Sequence, residues 1–387
     1  MKQEISNYID SIKNEVFQLS EYLYHNPEPS FHEYKAYNYL INLLKMHNFD
    51  IKENYLNMST SFYGKFGEGH PKICFLCEYD ASPQGHIEGH NLVSAISIAS
   101  ALSLSKIISK LGGSVIVIGC PGELVGGSKL TLVKQGVFDD IDTVLMAHPY
   151  TINSQSGTSS AVIPMAIKYG QMDNKDNHLG KIYNLTDLCL LTLNTIQMLV
   201  KGFGENHSLT GLKITGEKDS PTNSPEIESC FYINTPKMHT AEYIESKVRE
   251  FCETTKNIFN VASQVHIFDL PCSELITSQT LSRLFCHNLK ECGIIHIEAP
   301  IKLKERPSIG NISQFVPCIH PFISIVEENN IKFKTTKFAD ATISQYAQEV
   351  VVKTAKALAF TALDLIEKDI LLREAKTELF YTVNNTN

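Results

Sequence analysis

Apolar positions near the start of the chain fall three or four residues apart. Ile5, Tyr8, Ile9, Ile12, Val16, Leu19 and Leu23 line one face and predict an amphipathic helix over residues 3–24. A second pattern of this period runs from about Glu33 to Met46 and stops near His47-Asn48. The runs KICFLC (72–77) and VIVIG (115–119) are continuously apolar and short, the mark of buried strands. Residues 92–110 between them are helical in pattern. A helix over about 127–135 and a strand at 143–147 follow. Strands alternating with helices predict an α/β domain with a mainly parallel sheet.

The pattern changes near residue 160. AVIPMAIKYG reads as a strand, 171–182 as a polar loop and 185–202 as a long helix. Strand-like KITG and SCFYINTP precede a helix at 241–257. This order predicts a small α+β domain over 161–267, inserted in a larger domain of 1–160 plus 268–387. After 268 the alternation resumes, with a strand at FISIVEENN and one long helix over 342–369. No internal repeat and no Pro- or Ser-rich linker separates the two.

Composition narrows the class. A chain of 387 residues has the length of two or three domains. Thirty-four Lys and Arg against 42 Asp and Glu give a net charge of −8, which argues against nucleic-acid or anionic-membrane surfaces. With 43% hydrophobic and 20% charged residues the chain is neither disordered nor fibrous. No run of 18 apolar residues predicts a membrane span, and the charged start is unlike a signal peptide. The expectation is a cytoplasmic protein with ten reduced, mostly buried cysteines. Cys74 and Cys77 form a CxxC inside a strand-like run, and core packing is the simpler reading than zinc or redox chemistry.

Titratable side chains gather at strand ends. Glu78 to Asn91 follows a predicted buried strand and precedes a helix, where α/β sheets build their sites. Glu88 and His90 are two apart with a glycine between. The next strand ends at Glu123, and the one after at His148-Pro149. Carboxylates and imidazoles delivered by successive strands suit zinc or manganese. Lys129 after GGS lacks phosphate-loop spacing. Asn57-Met58-Ser59 and Asn311-Ile312-Ser313 read as ordinary loop structure, and the Tyr-rich stretch over 22–39 as helix packing.

Several ordered motifs resemble the amidohydrolase branch of metallopeptidase family 20, the group of aminoacylases, hippurate hydrolases and aminobenzoyl-glutamate hydrolases. His25-Asn26-Pro27-Glu28 with Glu33 resembles HxxPExxxxE. Glu78-Tyr79-Asp80-Ala81 with Gly85-His86 and Gly89-His90-Asn91 resembles EYDALPGIGHACGHN. Gly119-Cys120-Pro121-Gly122-Glu123 with Gly126-Gly127 and Lys129 resembles GxPAEEGGGGK. His148-Pro149, Gly310-Asn311-Ile312-Ser313 through Ile319-His320-Pro321, and the helix around Ala355 to Leu365 complete the set. The resemblance implies a phosphorylase/hydrolase-like α/β catalytic domain and an inserted ferredoxin-like lid domain that mediates dimerisation. It also implies two divalent ions activating a water, a glutamate base, and a small amide as substrate, an N-acyl amino acid or dipeptide.

The chemistry positions depart from that pattern. Glu88 stands where the family has its bridging cysteine, and Leu124 where it has the second glutamate of its pair. Lys334 stands for the C-terminal histidine ligand, Asn174 for the lid histidine, Asn234 for a lid arginine, and Ser308 near an expected aspartate. Leucine offers no ligand, and an ammonium competes with a cation for space. Three readings stay open. In one, Glu88, His90 and His148 hold one zinc or manganese ion and Glu123 is the base. In another no ion binds, and Lys334 sits among Glu88 and Glu123 in a non-hydrolytic binding or scaffold protein. In the third, Lys334 and Glu123 run metal-free acid/base chemistry. Asn174, Asn234, Ser308 and Asn311 are the candidate substrate-binding residues throughout, and a homo-oligomer is expected.

Overall fold

The computed structural model describes residues 1–171, 184–216, 226–303, 306–327 and 330–384. The chain forms two compact units: residues 1–158, 275–303 and 307–387, and a second that comprises residues 159–274 and 304–306.

The first unit is built on a six-stranded sheet. Its spatial order is Asp50–Glu53, Phe62–Glu68, Gly113–Gly119, Lys72–Cys77, Thr143–Leu145, Cys318–Ile319. The last four run parallel, and the first two form an antiparallel edge. The edge hairpin is invisible to a search for buried runs, since three of the four residues of Asp50–Glu53 are exposed. Apolar clusters cover both sheet faces, as a mainly parallel sheet requires. Cys77 packs into one cluster and Cys74 into the other, so the CxxC thiols point to opposite faces of one strand. Neither thiol is in a disulfide.

Helix Lys2–His25 buries Ile5, Ile9, Ile12, Val16, Leu19 and Leu23, the stripe its spacing predicts. Helix His90–Leu111 is apolar on all sides and long enough to cross a membrane, yet 89% of its most apolar window is buried inside the unit. Its serines suit that place because their hydroxyls bond backbone carbonyls. Ser94 donates to Glu78 O at 2.6 Å and Ser97 to Leu76 O at 2.5 Å, tying the helix to the strand it follows. The long C-terminal helix expected over 342–369 spans Gln345–Glu367. Ser344 caps it by accepting from Ala347 N, and a separate helix, Asp369–Asn384, follows.

The second unit has the order strand Ala161–Gln171, helix Leu185–Lys201, strands Ser208–Gly216 and Glu226–Thr235, helix Met238–Phe259, strand Val261–Ile267. Its four strands pair antiparallel, with Ala161–Gln171 and Glu226–Thr235 in the middle. This is the ferredoxin-like βαββαβ arrangement. Alternation is strict along Glu226–Thr235, where every second residue is buried. Most of the polar loop expected at 171–182 lies outside the described residues.

Candidate metal centre

Four parallel strands each end in a residue of the site. Glu78 and Asp80 follow Lys72–Cys77, Glu123 follows Gly113–Gly119, His148 follows Thr143–Leu145, and His320 follows Cys318–Ile319. The carboxyl ends of a parallel sheet converge on one crevice, so residues 242 apart in sequence meet without any local signal.

Asp80 and His90 form the buried centre. His90 Nδ1–H donates to Asp80 Oδ1 at 2.7 Å. The other oxygen, Oδ2, accepts from Ser30 Oγ at 2.7 Å and from Leu124 N at 2.9 Å. Burial pushes the Asp80 carboxyl up, but the His90 charge and these donors outweigh it and hold it below its ordinary value. Burial likewise works against His90, yet Asp80 and then Glu78 carry the imidazole up to about 10. The bond leaves Nε2 facing Glu78 Oε2, 3.7 Å away.

His148 is fixed in the same sense. Its Nδ1 lies 2.8 Å from Pro149 O, a carbonyl that only accepts, so Nδ1 carries the proton and Nε2 keeps its lone pair. Burial, then the neighbouring His320 and His90, hold its pKa well below the ordinary value. The His90 and His148 rings meet edge to face at 5.9 Å, and His320 lies 5.3 Å from His148. Among the described residues, Glu78, His90 and His148 offer ligand atoms within 4.8 Å of one another. Two imidazoles whose Nδ1–H groups are anchored, plus one carboxylate, fit a single divalent ion with open coordination positions.

A buried lysine completes the interior. Lys129 Nζ lies 2.5 Å from Glu78 Oε1, 2.6 Å from Glu123 Oε2 and 3.1 Å from Ser308 Oγ. Its side chain is fully buried, and the two carboxylates outweigh that burial and raise its pKa, keeping it charged. Glu123 also accepts from Ser308 N at 2.9 Å and from Ser308 Oγ. Burial raises Glu123, but Lys129 and Ser308 outweigh it and lower its pKa. Glu78 has fewer donors, and burial pushes it up to about 7 against the pull of Lys129.

Glycines set the approach of these loops. Gly89 has φ +77°, and a Cβ there would stand 2.5 Å from Pro149 Cγ, so only glycine lets the His90 helix start against the His148 strand. At Gly127, φ +73°, a Cβ would meet Ser308 Oγ at 2.7 Å and Glu123 Oε2 at 2.8 Å. Glu33 ties the opening segment to the site: its carboxylate accepts from Phe31 N, Thr60 Oγ1 and Gly122 N at 2.7–2.9 Å. Glu28 accepts from the backbone of Lys35 and Ala36 at the start of helix Tyr34–Met46.

The candidates from sequence divide as follows. His90 and His148 lie in the cluster whose ligand atoms converge, and Glu78 supplies its carboxylate. Glu88, expected as a ligand, instead pairs with Lys334, whose Nζ lies 3.2 Å from Glu88 Oε1. Lys334 therefore meets Glu88, while the cation on Glu123 is Lys129. Ser308 holds Glu123, and Asn311 is buried on the same short helix, Ile309–Ser313 with Ser308 as its cap. Asn234 belongs to the second unit, where its amide donates to Thr210 Oγ1 at 2.8 Å. Asn174 lies outside the described residues. Glu78, Asp80, Lys129 and His320 were legible only as parts of motifs; none has a spacing that marks it as a site residue.

No family model matches the chain. Over 403 aligned residues it is 27% identical to the Xaa-Arg dipeptidase of Mus musculus, across 98% of this chain and 92% of that protein. It is 26% identical to a p-aminobenzoyl-glutamate hydrolase chain of Escherichia coli K12, across 75% of this chain and 66% of that one. A dinuclear metal-binding peptidase of family 20 from Bacillus subtilis shares the fold, with a TM-score of 0.63 at 14% identity over 89% of this chain and 98% of that structure. The α/β scaffold, the ferredoxin-like unit and these relatives define a two-domain amidohydrolase class. In sequence and fold the chain is similar to members of the amidohydrolase branch of metallopeptidase family 20.

Proposed function

We propose that this protein hydrolyses the amide bond of a small amino-acid conjugate, an N-acyl amino acid or dipeptide, with one zinc or manganese ion held by Glu78, His90 and His148. The observation that carries the reading is the pair of imidazoles whose Nδ1–H groups are anchored on Asp80 and Pro149 O. The names of the relatives, a dipeptidase and an aminobenzoyl-glutamate hydrolase, support the substrate class.

When bound, such an ion supplies a Lewis acid and lowers the pKa of a coordinated water. The protein's own groups do the rest. Lys129 holds Glu78 Oε1 and leaves Oε2 toward His90. Asp80 keeps the proton of His90 on Nδ1. Glu123 is kept ionised by Lys129 and Ser308 and is the carboxylate assigned to proton transfer. Self-association through the second unit is part of the same proposal. Its support is the strand Ser208–Gly216, which lies at the sheet edge and exposes Leu212 and Ile214. A cytoplasmic location accompanies it.

One observation favours a second reading, a binding protein that does not cleave. Three donors already hold the Glu123 carboxylate in its ionised form and lower its pKa, which makes it a weaker proton acceptor. The deciding experiment incubates zinc- or manganese-supplemented protein with a panel of dipeptides and aminobenzoyl-glutamate and follows products by mass spectrometry. Cleavage lost in His90→Ala and in Glu123→Gln supports the hydrolase. Ligand-induced stabilisation without product, in protein that holds its ion, supports the binder.

A further inference from the structure

The relative from Bacillus subtilis is a dinuclear metal-binding peptidase, and the donors here do not fit a second ion. Among the described residues, the one set within reach of a common ion is Glu78, His90 and His148. A further carboxylate on the same loop, Glu88, is two residues before His90, and its Oε1 lies 3.2 Å from Lys334 Nζ. Leu124, next to Glu123, brings a backbone N–H to Asp80 and an alkyl side chain with no ligand atom.

The geometry points to Lys334 as the occupant of the second cation's place: its ammonium, paired with Glu88, puts a fixed positive charge there on a side chain, so the site takes one ion. The inference rests on the proposed ion-binding reading and adds to it the count and the residue that fixes the count.

The local structure holds that ammonium beside Glu88 and over the Phe333 ring, which itself packs on His148. Lys334 has φ +62°, a left-handed conformation that a non-glycine residue rarely adopts. Thr335 next to it caps the helix Thr336–Ala341 by accepting from Phe338 N. The preceding residue, Phe333, lies under the ammonium, 5.7 Å from ring centroid to Nζ, and against the His148 ring at 6.1 Å. The Phe338 ring closes on Phe333 edge to face at 5.2 Å. A cation over an aromatic face and beside a carboxylate is well placed to stay charged. It repels a second divalent ion and neutralises the carboxylate that such an ion would need. The Lys334 side chain is 39% exposed, so an anionic oxygen of a substrate reaches it from solvent.

The test counts ions. Wild type and the double variant Leu124→Glu with Lys334→His are saturated with zinc, freed of loosely held metal, and compared by native mass spectrometry. The double variant offers Glu and His donors where leucine and an ammonium stood. The expected result is one ion per chain in wild type and two in the variant. Equal counts in two proteins with matching circular dichroism, or a wild type that holds two, overturns the inference. A wild type with none and a variant with one keeps the difference of one and so supports the role of Lys334, while overturning the single-ion reading of the proposed function. Lys334→Gln reads the same point without added donors. It removes the charge and releases Glu88, and zinc affinity in a chelator competition is expected to rise at least tenfold; an unchanged affinity overturns the inference.

Discussion

His90 Nδ1 stands 2.7 Å from Asp80 Oδ1, and both side chains are buried. That bond fixes which imidazole nitrogen faces Glu78 and His148. Asp80→Asn replaces the carboxylate with an amide that no longer favours a proton on Nδ1. Outer partners of this kind are worth about 10–100-fold in metal affinity. A loss in that range, measured by chelator competition in protein that remains folded, is the expected outcome; an unchanged affinity removes Asp80 from the site's design.

The His90 imidazole is held up to about 10, so at neutral pH the metal-free protein carries a proton on it. An ion can bind Nε2 only after that proton leaves. Zinc binding at pH 8 is therefore expected to release about one proton per ion, with affinity rising about tenfold per pH unit between about 7 and 10 and more steeply below 7, where Glu78 also holds a proton. Calorimetry in buffers of different ionisation enthalpy reads the proton count, and no release would place the ion elsewhere.

Lys129 neutralises two buried carboxylates. Lys129→Met leaves Glu78 and Glu123 facing each other without a cation. Breaking a buried pair from one side costs about 3–5 kcal/mol. Urea unfolding is expected to show that loss, and adding Glu123→Gln to recover part of it. A near-neutral Lys129→Met would mean that water already solvates this cluster.

Gly89→Ala puts a methyl 2.5 Å from Pro149 Cγ at a backbone angle of +77°. Strain of this kind costs about 1–3 kcal/mol, and here it also shifts the first residue of the helix, His90. Lower stability together with weaker ion binding is expected. Lower stability alone would show that His90 is placed by Asp80 and not by the turn.

Two buried histidines set an acid limit. Burial, then His90, pushes His86 down to about 4, and burial, then Lys129, does the same to His320. Above pH 6.5 both are neutral folded and unfolded, and neither affects stability. Below 6.5 the unfolded chain takes protons that the folded chain refuses, so stability falls until pH about 4. The loss is about 3 kcal/mol for each histidine at 1.36 kcal/mol per pH unit. His90 has the opposite sign: its contribution is complete below pH 6.5 and is lost as pH rises toward 10. Metal-free protein is expected to be most stable near pH 6.5 in urea titrations. His86→Gln and His320→Gln should each flatten the acid side, and a profile unchanged by both would show that other groups set the limit.

The sequence by itself determined the scaffold, because periodicity is a local property that burial enforces. The stripe from Ile5 to Leu23 and the runs KICFLC and VIVIG could fold in few other ways, and helix Lys2–His25 and strands Lys72–Cys77 and Gly113–Gly119 follow them closely. It also placed His90, Glu123 and His148 at strand ends, since a parallel sheet gathers its carboxyl ends on one side. Strand Cys318–Ile319 is two residues long and leaves no periodic trace, so His320 is marked in sequence only by its motif and not by a strand end. Which carboxylate joins the imidazoles was not a sequence property either. Glu78 and Glu88 are equally acidic on paper. A Lys334 among Glu88 and Glu123 was one reading the motifs left open; the tertiary structure decides that Lys334 meets Glu88, 246 residues away, and that Lys129 stands between Glu78 and Glu123, because ion pairing depends on distance in space and not along the chain.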